Sequence, residues 1–157
     1  MREKVLLPTL LIIAEDPSIR AFLKKHLDAE FFILYAETKA RAFEAVNTSV
    51  LDFVIVDAKF EDYDALKLCE QLRPRLVSAA TPVLLITGRL NKTYRDQALD
   101  SGVTDFLNDH LELEELETRI ATGRKAAEVR RKTTRLAPKL PTTKPKSSLK
   151  NRVTKRK

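Results

Sequence analysis

Five short apolar runs, each followed by a stretch with helical spacing, constrain this chain more than any other feature. The runs at residues 5–14, 31–35, 53–56, 83–86 and 104–107 have the length and composition of buried strands. Between the first two, Asp16-Pro17 reads as a helix start, with Asp16 as N-cap and Pro17 in the first helical position. Ile19, Phe22, Leu23, His26 and Leu27 follow at helical intervals. A second helix is predicted over 38–46 with Ala42, Phe43 and Val46 inward. A third covers 65–72 and is stopped by Pro74, and a fourth covers 92–99 and is ended by Gly102. The last runs from 113 to about 133 and is basic in its second half. Strict alternation of this kind predicts an α/β fold: a five-stranded parallel sheet, doubly wound, with helices on both faces.

In open sheets of this type, ligands bind outside the carboxyl ends of the strands. Three runs here deliver a polar group to that edge: Glu15 and Asp16 after the first, Asp57 after the third and Thr87 after the fourth. Each also has a plain structural account. Asp57 alone would be an acid capping the next loop, and Asp16 an acid favoured by the helix dipole. Thr87-Gly88 would be a turn, and Phe106 a sheet residue packed on a helix. His26 and His110 have no partner spacing that suggests a metal or a base. Cys69 stands alone, so there is neither a disulfide framework nor a thiol metal site, which suits a reducing cytoplasm. With three glycines and no Gly-rich loop, nucleotide cradling is excluded.

The net charge of +7 conceals an asymmetry. Residues 124–157 hold 14 of the 29 Lys and Arg and one of the 22 acids, so the remainder of the chain is acidic. We read residues 1–123 as a globular domain and 124–157 as a basic helical extension and a disordered tail rich in Pro and Lys. Arg124, Lys125, Arg130, Arg131, Lys132 and Arg135 can neutralise phosphates of nucleic acid or an anionic lipid surface. No aromatic residue follows Phe106, so stacking on single strands is not expected. No apolar run has the length of a membrane span. Residues 5–14 imitate a signal peptide, but Pro8 interrupts them and Glu15-Asp16 stands where a cleavage site belongs.

Five stretches in register resemble the receiver domain of bacterial two-component response regulators. They are Leu11-Ile12-Ile13-Ala14-Glu15-Asp16-Pro17-Ser18-Ile19-Arg20, Phe53-Val54-Ile55-Val56-Asp57, Pro82-Val83-Leu84-Leu85-Ile86-Thr87, Ala98-Leu99-Asp100-Ser101-Gly102-Val103-Thr104-Asp105-Phe106-Leu107 and Leu113-Glu114-Glu115-Leu116. The resemblance covers roughly residues 8–123 and implies the flavodoxin-like, CheY-like fold. It also implies that Asp57 is the phospho-acceptor, Thr87 contacts the phosphoryl group and Phe106 is the switch aromatic. Glu15, Asp16 and Asp57 would hold Mg²⁺. The implied partners are a sensor kinase or a downstream effector, met through the face built by the fourth helix, fifth strand and fifth helix.

The departures from that pattern matter as much. On the register set by Pro17 to Arg20, the family's acid pair falls on Ala14 and Glu15, so the first acid is lost. The family's Lys falls on Asp109 and its following Pro on His110. A carboxylate there reverses the sign of the field that should clamp a phosphoryl group. Residues 60–65 have also drifted from the family's usual loop. Lys59, two residues beyond Asp57, is a candidate replacement cation, paired with Asp109. The reading that follows is a degenerate pseudo-receiver acting as a protein-interaction module in signal transduction. It is not an enzyme, beyond at most a weak autophosphatase. The alternatives are a phosphorylatable single-domain regulator and a nucleic-acid-associated protein acting through its tail.

Overall fold

The computed structural model describes residues 6–59, 64–76, 80–89 and 91–136. The elements are β1 (Thr9–Ile13), α1 (Pro17–Leu27), β2 (Phe32–Ala36), α2 (Lys39–Thr48), β3 (Phe53–Asp57) and α3 (Ala65–Leu72). A 3-10 turn (Arg73–Arg75) follows, then β4 (Val83–Ile86), α4 (Lys92–Asp100), β5 (Asp105–Leu107) and α5 (Leu113–Leu136). All five strands are parallel, in the order β2-β1-β3-β4-β5. This is the predicted doubly wound sheet.

The first strand is shorter than the apolar run that announced it. Residues 1–5 lie outside the described residues, and β1 begins only after Pro8, whose carbonyl accepts from Phe32 N at 2.8 Å. A proline has no N–H to give the ladder, so it marks the strand's entry.

Side-chain alternation divides the core cleanly. Leu11, Ile13, Val54, Val56 and Leu85 pack with Ala42, Val46, Leu68, Leu72, Ala98 and Phe106 on one face. Leu10, Ile12, Phe53, Ile55, Leu84 and Ile86 pack with Leu23, Leu27, Leu116 and Ile120 on the other. Strands buried on both faces must be apolar at every position, which is why β1, β3 and β4 read as continuous runs.

Polar side chains set the helix starts. Asp16 caps α1, accepting from Ser18 N at 2.8 Å, and Pro17 occupies the first turn. Thr38, Asp64 and Asn91 cap α2, α3 and α4 in the same way. After α4 the chain turns through Gly102 at φ +99°, a conformation that only glycine adopts readily. Arg73 crosses to this turn and donates to the carbonyls of Thr81 (2.9 Å) and Gly102 (2.6 Å). Gly123 serves closeness instead: a Cβ there would lie 2.9 Å from the ring of Phe53.

The chain divides into two units, Met1–Ala127 and Glu128–Lys157. In the second, α5 continues to Leu136, and the tail proposed from composition lies outside the described residues. No helix among the described residues is long and apolar enough to cross a membrane.

Candidate functional site

Because β3 is central and ends between β1 and β4, its last residue, Asp57, reaches the carboxyl edge where the strand order reverses. Asp57 is 1% exposed. One carboxylate oxygen accepts from the N–H of Lys59 at 3.0 Å, while the other is buried without a hydrogen-bond partner. Burial pushes its pKa above the ordinary carboxylate value, and the charges of Asp16 and Asp109 add to the rise. The Lys59 N–H and ammonium oppose it.

Asp57 opens into a pocket of about 470 Å³. Asp16, Ser18, Ile19 and Phe22 line it from the start of α1, Lys59 from the loop after β3, and Asp109 and Leu111 from the loop after β5. The pairing of Lys59 with Asp109 is present, with the ammonium 3.1 Å from Oδ2. Asp109 is only 15% exposed, and Lys59 reaches it from solvent. The approach is close because Gly88 leaves room: a Cβ at that position would stand 2.8 Å from the same oxygen.

At the end of β1, Ala14 is buried in the core where the family's first acid belongs. The carbonyls of Ala14 and Glu15 accept from the guanidinium of Arg20 at 2.8 and 2.9 Å. Asp16 shares the pocket with Asp57, but one of its oxygens is committed to capping α1. Glu15 is exposed on the loop beside it.

These acids suit Mg²⁺ poorly. The ion demands near-octahedral oxygen ligands at about 2.0–2.1 Å, and no three His, Cys, Asp or Glu side chains among the described residues converge as such a set. The orphaned Asp57 oxygen is a single donor atom.

Thr87 follows β4 immediately, one residue past Ile86, the register partner of Asp57. Its hydroxyl oxygen accepts from Arg89 N at 3.0 Å, and Tyr94 of α4 lies nearby. Burial raises the Tyr94 hydroxyl's pKa, and the neighbouring Thr87 side chain moderates the rise. Phe106 is buried, and the guanidinium of Arg95 lies 5.1 Å over its ring. Asp105 meets Arg119 of α5 at 3.5 Å. Sequence reasoning missed Tyr94, Arg95 and Arg20, since no spacing in the chain ties them to the strand ends they serve. Arg124, counted among the residues free to meet phosphate, is bound to Glu30 at 3.2 Å and lies over Phe31. Cys69 is buried in the core, and burial pushes its thiol up to about 12, far from a nucleophile's range. Residues 60–63, part of the drifted loop, lie outside the described residues.

Two measurements probe this pocket. Because folding raises the pKa of Asp57, the native state holds that proton more tightly than the unfolded chain, and stability falls as pH rises from the ordinary Asp range through the folded value. Asp57→Asn is therefore expected to stabilise the protein at pH 7 by about 1 kcal/mol. Urea titrations should show the gain shrinking as pH falls through the folded value and gone by about pH 4, where both states are protonated. A loss of stability at pH 7 would mean that the ionised carboxylate is better satisfied than its geometry indicates. For the ion pair, a double-mutant cycle of Lys59→Ala and Asp109→Ala is expected to return a coupling of about 0.2–1 kcal/mol, since Lys59 is 70% exposed. Zero coupling in low salt would remove the pair from the account.

Comparison with known proteins agrees with this geometry. The response regulator receiver domain family matches residues 10–121, and the chain belongs to that family. It is 32% identical over 114 residues to Protein PetR of Rhodobacter capsulatus, covering 72% of this chain and 47% of that protein. It is 29% identical over 111 residues to the KDP operon transcriptional regulatory protein KdpE of Escherichia coli, covering 70% of this chain and 48% of that one. The chain thus spans about half the length of these regulators, and 8% of Histidine kinase P4 of Formosa agariphila, to which it is 25% identical over 112 residues. Among solved structures, the CheY-like receiver domain protein of Methanospirillum hungatei superposes with a TM-score of 0.72 at 17% identity, over 80% of this chain and 99% of that one. Receiver domains are signalling modules of two-component systems, generally without enzymatic activity of their own, and typically hold Mg²⁺ at the phosphorylation site.

Proposed function

We propose that this protein is a pseudo-receiver: a receiver-like domain, residues 1–123, that keeps the fold for protein interaction and carries a basic extension, 124–157. The observation that carries the reading is the ion pair between Lys59 and Asp109. A carboxylate occupies the position of the family's ammonium, and the Lys59 ammonium is spent on neutralising it. A phosphoryl group approaching Asp57 would meet Asp16 and Asp109 with no compensating clamp, while the Thr87 hydroxyl already accepts from Arg89 N. The partner, a sensor kinase or a downstream effector, would dock on the face of α4, β5 and α5. Leu99 and Leu113 are exposed on those two helices.

The second reading is a phosphorylatable regulator with Asp57 as acceptor, and one observation favours it. The Lys59 ammonium already stands at the pocket, so turning from Asp109 to an incoming phosphoryl oxygen would convert it into a clamp. Incubation with a small acyl-phosphate donor and Mg²⁺, read by intact mass, separates the two. The pseudo-receiver reading expects no adduct from folded, monodisperse protein. An adduct on the native chain that is absent from Asp57→Asn would establish the second reading.

A further inference from the structure

The pocket at Asp57 has two kinds of wall. Among the described residues that line it, Asp16, Asp57 and Asp109 contribute three carboxylates and Lys59 one ammonium, a net negative set. Ile19, Phe22 and Leu111 form an apolar side facing the same space. Asp57, almost wholly buried, keeps one oxygen without a partner. That oxygen is an unmet acceptor in a low-dielectric setting, where such a group costs most until a donor reaches it. The carboxylates are too dispersed to make an octahedral cage for a small dication. They suit a cation that is bulky, carries several N–H donors and has an aliphatic stem, because the stem can lie along the apolar wall while the head reaches the acids.

We propose that this pocket receives the side chain of a lysine or arginine from a protein partner. The head group donates to the free oxygen of Asp57 and shares Asp16 and Asp109, displacing the Lys59 ammonium outward. Lys59, bound to one carboxylate and largely in solvent, is the replaceable member of the set. The site would thus read a positive charge on a partner in the place where a receiver of the ordinary pattern accepts a phosphoryl group. The proposal rests on the interaction-module reading, and its test is separate from the phosphorylation test. An adduct at Asp57 would overturn the reading, whereas the titration below judges the pocket alone.

The probes are methylguanidinium and n-butylammonium, the free head groups of the two side chains, titrated into the full chain with amide chemical shifts as readout. Sodium chloride at matched ionic strength and magnesium chloride serve as comparison titrants. Saturable shifts at the amides of Ser18, Lys59 and His110, with a dissociation constant in the millimolar range appropriate to a ligand of about five non-hydrogen atoms, are the expected result. Asp57→Asn, which replaces the unmet acceptor with an amide and is expected to fold at least as stably, should weaken binding by about tenfold or more. Lys59→Ala should strengthen it, because the competing ammonium is gone; a merely structural pocket would show no such gain. Equal shifts from sodium would reduce the effect to screening and overturn the proposal. So would shifts from Mg²⁺ with none from the organic cations, or binding unaltered in Asp57→Asn.

Discussion

The double substitution Ala14→Asp with Asp109→Lys is expected to raise the rate of phosphoryl transfer to Asp57 from a small acyl-phosphate donor by at least about 10²-fold over the native chain. Each change repairs a separate electrostatic defect. Ala14 lies at the end of β1, in the core cluster flanking β3, and an acid there adds a second carboxylate close to Asp57, as a metal set requires. Lysine at 109 removes the charge that now repels an incoming phosphoryl group and frees the Lys59 ammonium from its bond at 3.1 Å. Pre-placed donors at a phosphoryl-transfer site act without reorganising, which is why one such group is commonly worth two to three orders of magnitude in rate. Intact-mass time courses with Mg²⁺, and Asp57→Asn built into the double variant as control, measure the gain. A double variant as inert as the native chain would locate the defect elsewhere in the site, with Thr87, whose hydroxyl accepts from Arg89 N, the first place to look.

A second large effect concerns the sheet itself. Phe53→Ala is expected to cost about 3–5 kcal/mol, a large part of the roughly 5–15 kcal/mol by which a domain is stable. The Phe53 ring is 2% exposed, packs edge-on to Phe31 at 6.0 Å and presses on Gly123 of α5. Truncation leaves a cavity between strand and helix that neither can readily close. Gly123→Ala supplies the internal check. In the native protein its Cβ would strike the ring at 2.9 Å and destabilise. In the Phe53→Ala background the same methyl enters the vacated space and gains about 1 kcal/mol of helix propensity, so its sign should invert. Urea midpoints of the four proteins decide the matter; an unchanged sign would mean that helix and strand are not in contact there.

The sequence revealed the fold almost completely because each of its signals was local. Strands buried on both faces leave unbroken apolar runs, and Asp16-Pro17 with the other caps marks helix starts within a few residues. The strand-end residues were legible for the same reason, since a parallel sheet sends every carboxyl end to one edge. The pairing of Lys59 with Asp109 could be suspected only from the resemblance, which placed a carboxylate where a cation was due. Tyr94 and Arg95 left no trace in the sequence. Their roles depend on how α4 is rotated over β4 and β5, and an aromatic and a basic residue in adjoining helical positions carry no record of that angle.

That rotation has a thermodynamic consequence. Thr87, just past the end of β4, and Phe106 of β5 lie against Tyr94 and Arg95, two consecutive residues of one helix. Any roll of α4 must therefore alter both at once, and Thr87 stands at the strand end beside Asp57. A partner that binds one orientation of α4 more tightly would change the affinity for whatever occupies the Asp57 pocket, and occupancy of the pocket would change the partner's affinity by the same factor. Phosphate is not required for such reciprocity; two ligands and a helix that cannot satisfy both in more than one pose are enough.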